Sequence, residues 1–330
     1  MKRLDGIGIT FKGSGSYLPQ QVLSNHDLSR IVDTSDEWIK TRTGISNRRI
    51  SKPDEDVCHM GYKAASKALE MANWPADSID LIILATSTPS DLFGSAPIIQ
   101  SKLGAKNAFA FDLTAACSGF LFALITASQY LKAGSYKRAL VIGADQLSSY
   151  VDWSDRGSCI LFGDGAGAIA IESNIDTNNL CGFTMRTDGD RGSFLKLSSK
   201  NELGIINDDL VFKKVDFSKI SMNVQEVYKF AVLEVQIIID NLLKETKYSS
   251  KEIDWLLLHQ ANQRILDAVG ERVRIAKSKV LSNLSNYGNT SAATIPLMLD
   301  ESIRNKKIKQ NDLIISLSLI HISEPTRLSA

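Results

Sequence analysis

Phe111-Asp112-Leu113-Thr114-Ala115-Ala116-Cys117-Ser118-Gly119-Phe120 is the stretch on which the reading of this chain turns. Upstream, Ala108-Phe109-Ala110-Phe111 has the length and apolarity of a short buried strand. Downstream, Phe120-Leu121-Phe122-Ala123-Leu124-Ile125 through Leu131 is apolar almost all round, the pattern of a central, buried helix. Cys117 therefore falls at a strand-to-helix junction, where the first backbone N–H groups of the helix have no intrahelical partners. Those groups and the positive end of the helix dipole would hold a thiolate and lower the thiol's pKa. Ala116, Ser118 and Gly119 are small and leave the sulfur approachable. A small buried hydrophobe is the other reading of a free cysteine, and the stretch alone leaves the two open.

Around this junction the chain alternates strand and helix. Gly6 to Phe11 reads as a strand. Short polar caps at Ser24 and at Thr34-Ser35 start two helices, the second carrying Trp38. Thr41 to Arg49 then places Arg42, Arg48 and Arg49 close behind Trp38, a pairing suited to an adenine ring and phosphates; an exposed basic loop is the alternative. Val57 to Met71 is helical, Ile79-Asp80-Leu81-Ile82-Ile83-Leu84-Ala85 a buried parallel strand, Thr88 to Gly94 a loop, Ala96 to Leu103 a helix, and Ala139-Leu140-Val141-Ile142 another buried strand. This order predicts an α/β protein with helices on the sheet faces. Phe162-Gly163-Asp164-Gly165-Ala166-Gly167-Ala168 lacks both the Lys-Ser/Thr and the helix start of a phosphate loop, and reads as a tight β connection where backbones pass closely. Polar residues dominate from Asn174 to Asp216, as in hairpins and loops, and helical periodicity resumes from Val224 to Lys244.

Composition bounds the function. With 330 residues, 44% hydrophobic and 23% charged, the chain can bury a large core. A net charge of +1 argues against a general nucleic-acid or membrane-surface binder. The start Met1-Lys2-Arg3-Leu4-Asp5-Gly6 has no apolar run of a signal peptide, and no segment is long and apolar enough to span a bilayer. Cys58, Cys117, Cys159 and Cys181 lie far apart, which offers neither a metal-ligand spacing nor a disulfide framework; a cytoplasmic protein without bound metal is expected.

A repeat emerges further out. Ser78-Ile79-Asp80-Leu81-Ile82-Ile83-Leu84 and Glu252-Ile253-Asp254-Trp255-Leu256-Leu257-Leu258 share polar-Ile-Asp-x followed by branched apolar residues, each after a long amphipathic helix. Each leads to a junction of small residues, Ala115 to Gly119 in the first and Tyr287 to Ala293 in the second. A further strand closes each unit. The chain divides into two copies of one α/β unit, 1–173 and 174–330. A pseudo-two-fold pair brings the two junctions to one central site, where Cys117 faces Asn289. His259, the one histidine that ends a buried strand, points to the same place.

These residues resemble those of β-ketoacyl-acyl-carrier-protein synthase III. Ala116-Cys117-Ser118-Gly119-Phe120, His259-Gln260-Ala261-Asn262 and Asn286-Tyr287-Gly288-Asn289-Thr290-Ser291-Ala292 look like its three active-site motifs, in order and at domain-scale spacing. The resemblance implies a thiolase-like fold, two duplicated halves in a five-layer αβαβα sandwich. It implies that Cys117 attacks the thioester of an acyl-coenzyme A, and that the resulting acyl-Cys117 is condensed with malonyl-acyl carrier protein as CO2 leaves. His259 and Asn289 would donate hydrogen bonds to the thioester oxygen as the enolate forms. By the same matching, Trp38 and Arg156 would sandwich the adenine of coenzyme A, and Arg42 and Asn262 would hold its phosphate and pantetheine. Phe93 would close the acyl pocket across a homodimer interface. Arg264, Arg272, Arg274 and Lys277 would meet an acidic carrier protein, and a solvated helix face accounts for them too. No cofactor is implied beyond the coenzyme A thioester.

The chain departs from the family after Ser316. There the family has a glycine-rich loop, an aromatic and a last strand; Leu317 to Ala330 contains no glycine, as after a change of reading frame, and predicts no counterpart of the strand that closes the first unit. That loop supplies the second oxyanion N–H, and losing one such donor costs on the order of 10²–10³ in rate, so an inactive homologue is one alternative. A type III polyketide synthase, also Cys-His-Asn, is the enzymatic one. A thiolase needs a late second cysteine and none follows Cys181; elongating ketosynthases need a second histidine, and only His321 follows His259.

Overall fold

The computed structural model describes residues 8–318, except 175, 177, 178, 199, 201, 208, 209 and 215, together with 323–328. Five strands, β1 (Ile9–Tyr17), β2 (Leu81–Ala85), β3 (Phe109–Leu113), β4 (Arg138–Gln146) and β5 (Asp164–Ser173), form one sheet in the order β1-β5-β4-β2-β3. β2 runs parallel to both β3 and β4, while β5 lies antiparallel between β4 and β1. A second sheet has β6 (Trp255–Leu258) parallel to β7 (Ile314–Ser318), with β8 (Ser323–Leu328) antiparallel on its far side. The helices that concern the site are α1 (Asp36–Thr43), α2 (Val57–Ala72), α3 (Ala96–Leu103), α4 (Gly119–Lys132), α5 (Val224–Thr246), α6 (Gln263–Arg272) and α7 (Thr294–Arg304).

Alternation of side chains along the strands assigns these elements to layers. Ile82, Leu84, Leu140 and Ile142 pack on Ala64, Ala68 and Ile99 of α2 and α3. Leu81, Ile83, Ala85 and Val141 face the other way, onto Phe120 and Leu124 of α4 and Ile295 and Met298 of α7. Leu257 and Ile314 of the second sheet join this same central core. Leu256, Leu258, Ile315 and Leu317 face outward onto α5 and α6. The result is a thiolase-like αβαβα stack with α4 and α7 between the two sheets. Their sequences are apolar on most sides because each helix has a sheet on both flanks.

The repeat extends to individual hydrogen bonds. Asp80 accepts from the backbone N–H groups of Lys137 and Arg138, and Asp254 accepts from that of Leu313. The shared Ile-Asp thus buries an isoleucine and ties the start of one parallel strand to its neighbour. β6-β7-β8 repeats the arrangement of β2-β4-β5, which corrects the expectation that the second unit lacks a closing strand. Strand pairing uses backbone N–H and C=O groups, which a glycine-free tail still provides. Residues 319–322, where the glycine-rich loop would fall, lie outside the described residues. The glycine run at 163–167 lies partly within β5, where a Cβ on Gly167 would sit 2.6 Å from the Leu297 nitrogen; close backbone approach, not phosphate binding, explains it.

Candidate active site

The two small-residue junctions meet between the sheets. β3 leads into a tight turn, Ala116–Ser118, that opens α4, and the second unit has the turn Ser291–Ala293 opening α7. Ala116 and Ser291 hold left-handed φ values of 46° and 50°. Each costs roughly 1–3 kcal/mol in a non-glycine residue, so the surrounding packing must enforce both. In this register Cys117 is matched by Ala292, and only the first half carries a sulfur.

Cys117 is 4% exposed, and its Sγ lies 3.5 Å from Ser291 Oγ. Burial pushes the thiol pKa up to about 12, opposite to the lowering expected from a helix terminus. Two features explain the difference. The α-helix proper begins at Gly119, beyond the sulfur, and the cost of placing an anion in a dry interior outweighs a partial dipole charge.

His259 directly follows β6. Its Nδ1 is 2.7 Å from Thr294 Oγ1, and that hydroxyl donates to the Ser291 carbonyl at 2.9 Å. The hydroxyl's single proton is thereby used, so Nδ1 carries the hydrogen and Nε2 is the acceptor. Among the described residues Nε2 is buried without a partner, and burial lowers the imidazole pKa to about 3. The resting tautomer therefore offers an acceptor where the sequence reading places a donor. Asn289 Oδ1 accepts from Ser291 N at 2.9 Å, which leaves its Nδ2 group to donate. Ser291 and Thr294 thus join the three motif residues, and neither was singled out from the sequence: hydroxyls in a run of small residues carry no signal of their own.

A cavity of about 570 Å³ opens beside these groups. His259, Asn289, Trp38, Arg42, Asn262 and Arg264 line it; Cys117 does not. One wall comes from α5, through Val224, Tyr228 and Ala231, whose helical spacing announces an apolar face without saying what it faces. Arg42 and Arg156 each stack a guanidinium carbon 4.7 Å from the Trp38 ring centre. An adenine between Trp38 and Arg156 needs roughly twice a 3.5 Å contact, so Arg156, which donates to the Asp33 carbonyl at 2.8 Å, must swing aside to admit one. Asn262 caps α6 through Arg264 N at 2.9 Å and donates to the Arg42 carbonyl at 3.0 Å. Of the four basic residues, Arg264 lines the cavity. Lys277 is paired with Asp267 at 3.1 Å, Arg272 reaches the Val232 carbonyl, and Arg274 is an exposed residue beyond α6. Phe93 is fully exposed on the loop before α3, away from the cavity wall.

Fold and site together define the class: an acyltransferase of the condensing-enzyme type on a thiolase-like fold. Residues 111–189 match the profile described as 3-oxoacyl-[acyl-carrier-protein] synthase III, and residues 243–319 match that of its C-terminal part. A beta-ketoacyl-[acyl-carrier-protein] synthase III of Prochlorococcus marinus subsp. pastoris is 71% identical over 311 residues, 94% of this chain and 93% of that protein. The crystal structure of 3-oxoacyl-[acyl-carrier-protein] synthase III from Aquifex aeolicus is 40% identical and superposes with a TM-score of 0.90, covering 98% of this chain and all of that one. The corresponding Thermus thermophilus structure gives 32% and 0.88, covering 97% of this chain and 99% of that one. The chain belongs to the 3-oxoacyl-[acyl-carrier-protein] synthase III family.

Proposed function

We propose that this enzyme starts fatty acid synthesis by condensing an acyl-coenzyme A, acetyl-coenzyme A being the simplest, with malonyl-acyl carrier protein through an acyl-Cys117 intermediate. Cys117 gives its proton to His259 Nε2 as the sulfur attacks the thioester carbon, and the Cys117 N–H holds the oxyanion. A lone charge is costly in this interior, whereas thiolate and imidazolium formed together offset one another. Collapse expels the coenzyme A thiolate, which takes the proton back. Malonyl-carrier protein then loses CO2, and its enolate oxygen is held by Asn289 Nδ2 and by His259 Nε2–H, the imidazole having exchanged its proton from Nδ1 to Nε2 through solvent as the Thr294 hydroxyl turns from the Ser291 carbonyl to donate to Nδ1. The enolate carbon attacks the acyl group, the C–S bond to Cys117 breaks, and the released thiolate takes a proton from solvent.

In this reading Trp38, Arg42, Arg156 and Asn262 hold coenzyme A, and Arg264, Arg272, Arg274 and Lys277 meet the carrier protein. Phe93 serves a partner subunit of a cytoplasmic homodimer. The halves 1–173 and 174–330 supply nucleophile and donors respectively, and no cofactor is required. The observation that carries the proposal is the set of hydrogen bonds through Ser291 and Thr294 that gathers Cys117, His259 and Asn289. Intact-mass measurement after incubation with acetyl-coenzyme A tests it: an acetyl adduct forms, Cys117→Ala abolishes it, and malonyl-carrier protein discharges it as a β-ketoacyl product. No adduct on Cys117 overturns the reading, and discharge by malonyl-coenzyme A alone replaces it with a polyketide synthase.

A further inference from the structure

The mechanism above leaves unused a buried carboxylate beside the nucleophile. Asp145, near the end of β4, is fully buried. Its Oδ1 accepts from Thr86 Oγ1 at 3.1 Å, Ser87 N at 2.7 Å and Thr88 Oγ1 at 3.0 Å, and its Oδ2 from Ala292 N at 3.0 Å. A side chain of the first half thereby holds the catalytic turn of the second. Two of the four donors are backbone N–H groups, which can only donate, and both oxygens are engaged, so the site is built for the anion. Burial raises the Asp145 pKa, and its hydrogen bonds oppose the rise. The hydroxyl of Ser291, in the turn so held, lies 3.5 Å from Cys117 Sγ.

We propose that Asp145 and Ser291 are positioning residues of the condensation: Asp145 fixes the turn Ser291–Ala293, and the Ser291 hydroxyl fixes the Cys117 sulfur as a neutral, aimed thiol. In the resting enzyme the thiol donates to Ser291 Oγ. When the sulfur ionises, the hydroxyl turns and donates to it. The two groups therefore act on the sulfur with opposite sign. Next to burial, the Ser291 hydrogen bond favours the thiolate and the Asp145 charge opposes it. Among the described residues Asp145 is the titratable group whose charge acts on the sulfur, and His259, with its pKa near 3, stays neutral throughout a thiol titration.

This inference rests on Cys117 being the nucleophile. Its test is the rate at which iodoacetamide alkylates Cys117 from neutral to alkaline pH, located by peptide mass and compared with Cys117→Ala. Asp145→Asn removes the opposing charge and raises the neutral-pH rate about tenfold, one pKa unit. Ser291→Ala removes the donor and lowers the rate roughly threefold to tenfold. Both substitutions lower the melting temperature, so a merely structural role would move both rates the same way. Ser291→Gly, which relieves the left-handed backbone while deleting the hydroxyl, matches Ser291→Ala and decides the question should Asp145→Asn not fold. Rates that shift in one direction, or a Ser291→Gly protein at the wild-type rate, overturn the proposal. Failure of wild-type Cys117 to take an acetyl group from acetyl-coenzyme A overturns the nucleophile itself, a separate outcome.

Discussion

An imidazole held neutral to a pKa of about 3 inside the protein couples folding to pH. The unfolded chain protonates His259 near pH 6.5, its ordinary value, and the folded one only near 3. Below about 6.5 the unfolded state therefore binds the extra proton, and stability falls progressively from there toward pH 3. His259→Asn removes this contribution: its melting temperature declines less steeply than wild type between pH 7 and 4, while acylation of Cys117 is lost. A decline as steep as wild type means that other groups set the acid limit. Arg156 yields a second prediction at this scale. Since it rests directly on Trp38, Arg156→Ala opens that face at once but deletes half of the adenine clamp, and KM for acetyl-coenzyme A rises while kcat holds. A fall in kcat with KM unchanged refutes the clamp. That Cys117, His259 and Asn289 come together was legible in the sequence because each sits in a distinctive motif. The sign of the Cys117 shift was not, because desolvation depends on everything packed around the sulfur and not on its neighbours in the chain.

Elements repeat this division between local and non-local information. The helices Val57–Ala72, Ala96–Leu103 and Val224–Thr246 follow the periodicity of their own residues, and the Ile-Asp repeat gave away β2 and β6. What the pattern could not give was the partner of each face, so α5 emerged as a cavity wall only in three dimensions. Tight contacts between elements are likewise invisible until the backbone is in place. A Cβ on Gly143 of β4 would lie 2.2 Å from the Ala292 carbonyl oxygen, whereas one on Gly134, at φ 83°, meets nothing within 4 Å. Gly143→Ala must push the turn Ser291–Ala293 off the sheet. It destabilises by roughly 1–3 kcal/mol and slows acylation, because the displaced turn carries Ser291. Gly134→Ala carries only backbone strain, about 1–2 kcal/mol, and acylates normally. Calorimetry with the acylation assay separates them; equal acylation rates in the two variants would show that the turn tolerates displacement.

For the whole molecule, the arrangement of the two halves explains why the site is buried and also what remains uncovered. Among the described residues no helix is long and apolar enough to cross a membrane, yet Leu92 and Phe93 stand 81% and 101% exposed. They ride on a braced loop: Phe93 N donates to Asp91 at 2.7 Å, Ser90 N to Ser95 Oγ at 2.9 Å, and Ser95 N to Asp112 at 2.8 Å. Asp112 belongs to β3, which leads to the turn Ala116–Ser118, so the loop is anchored to the strand that sets Cys117. Two adjacent large apolar side chains held out in water by a rigid loop favour contact with another protein surface, and the proposed homodimer supplies one. Phe93→Asp puts a charge where that surface would close. The variant sediments at 36.2 kDa, the mass of one chain, where the wild type sediments at twice that value, and its melting temperature is lower and independent of dilution, whereas that of the wild type falls on dilution. Its acetylation slows at equal Cys117 alkylation, because the missing partner affects the acyl pocket and not the sulfur. A wild-type protein that is already monomeric at micromolar concentration, or a Phe93→Asp protein that remains a dimer with full activity, removes Phe93 from the interface.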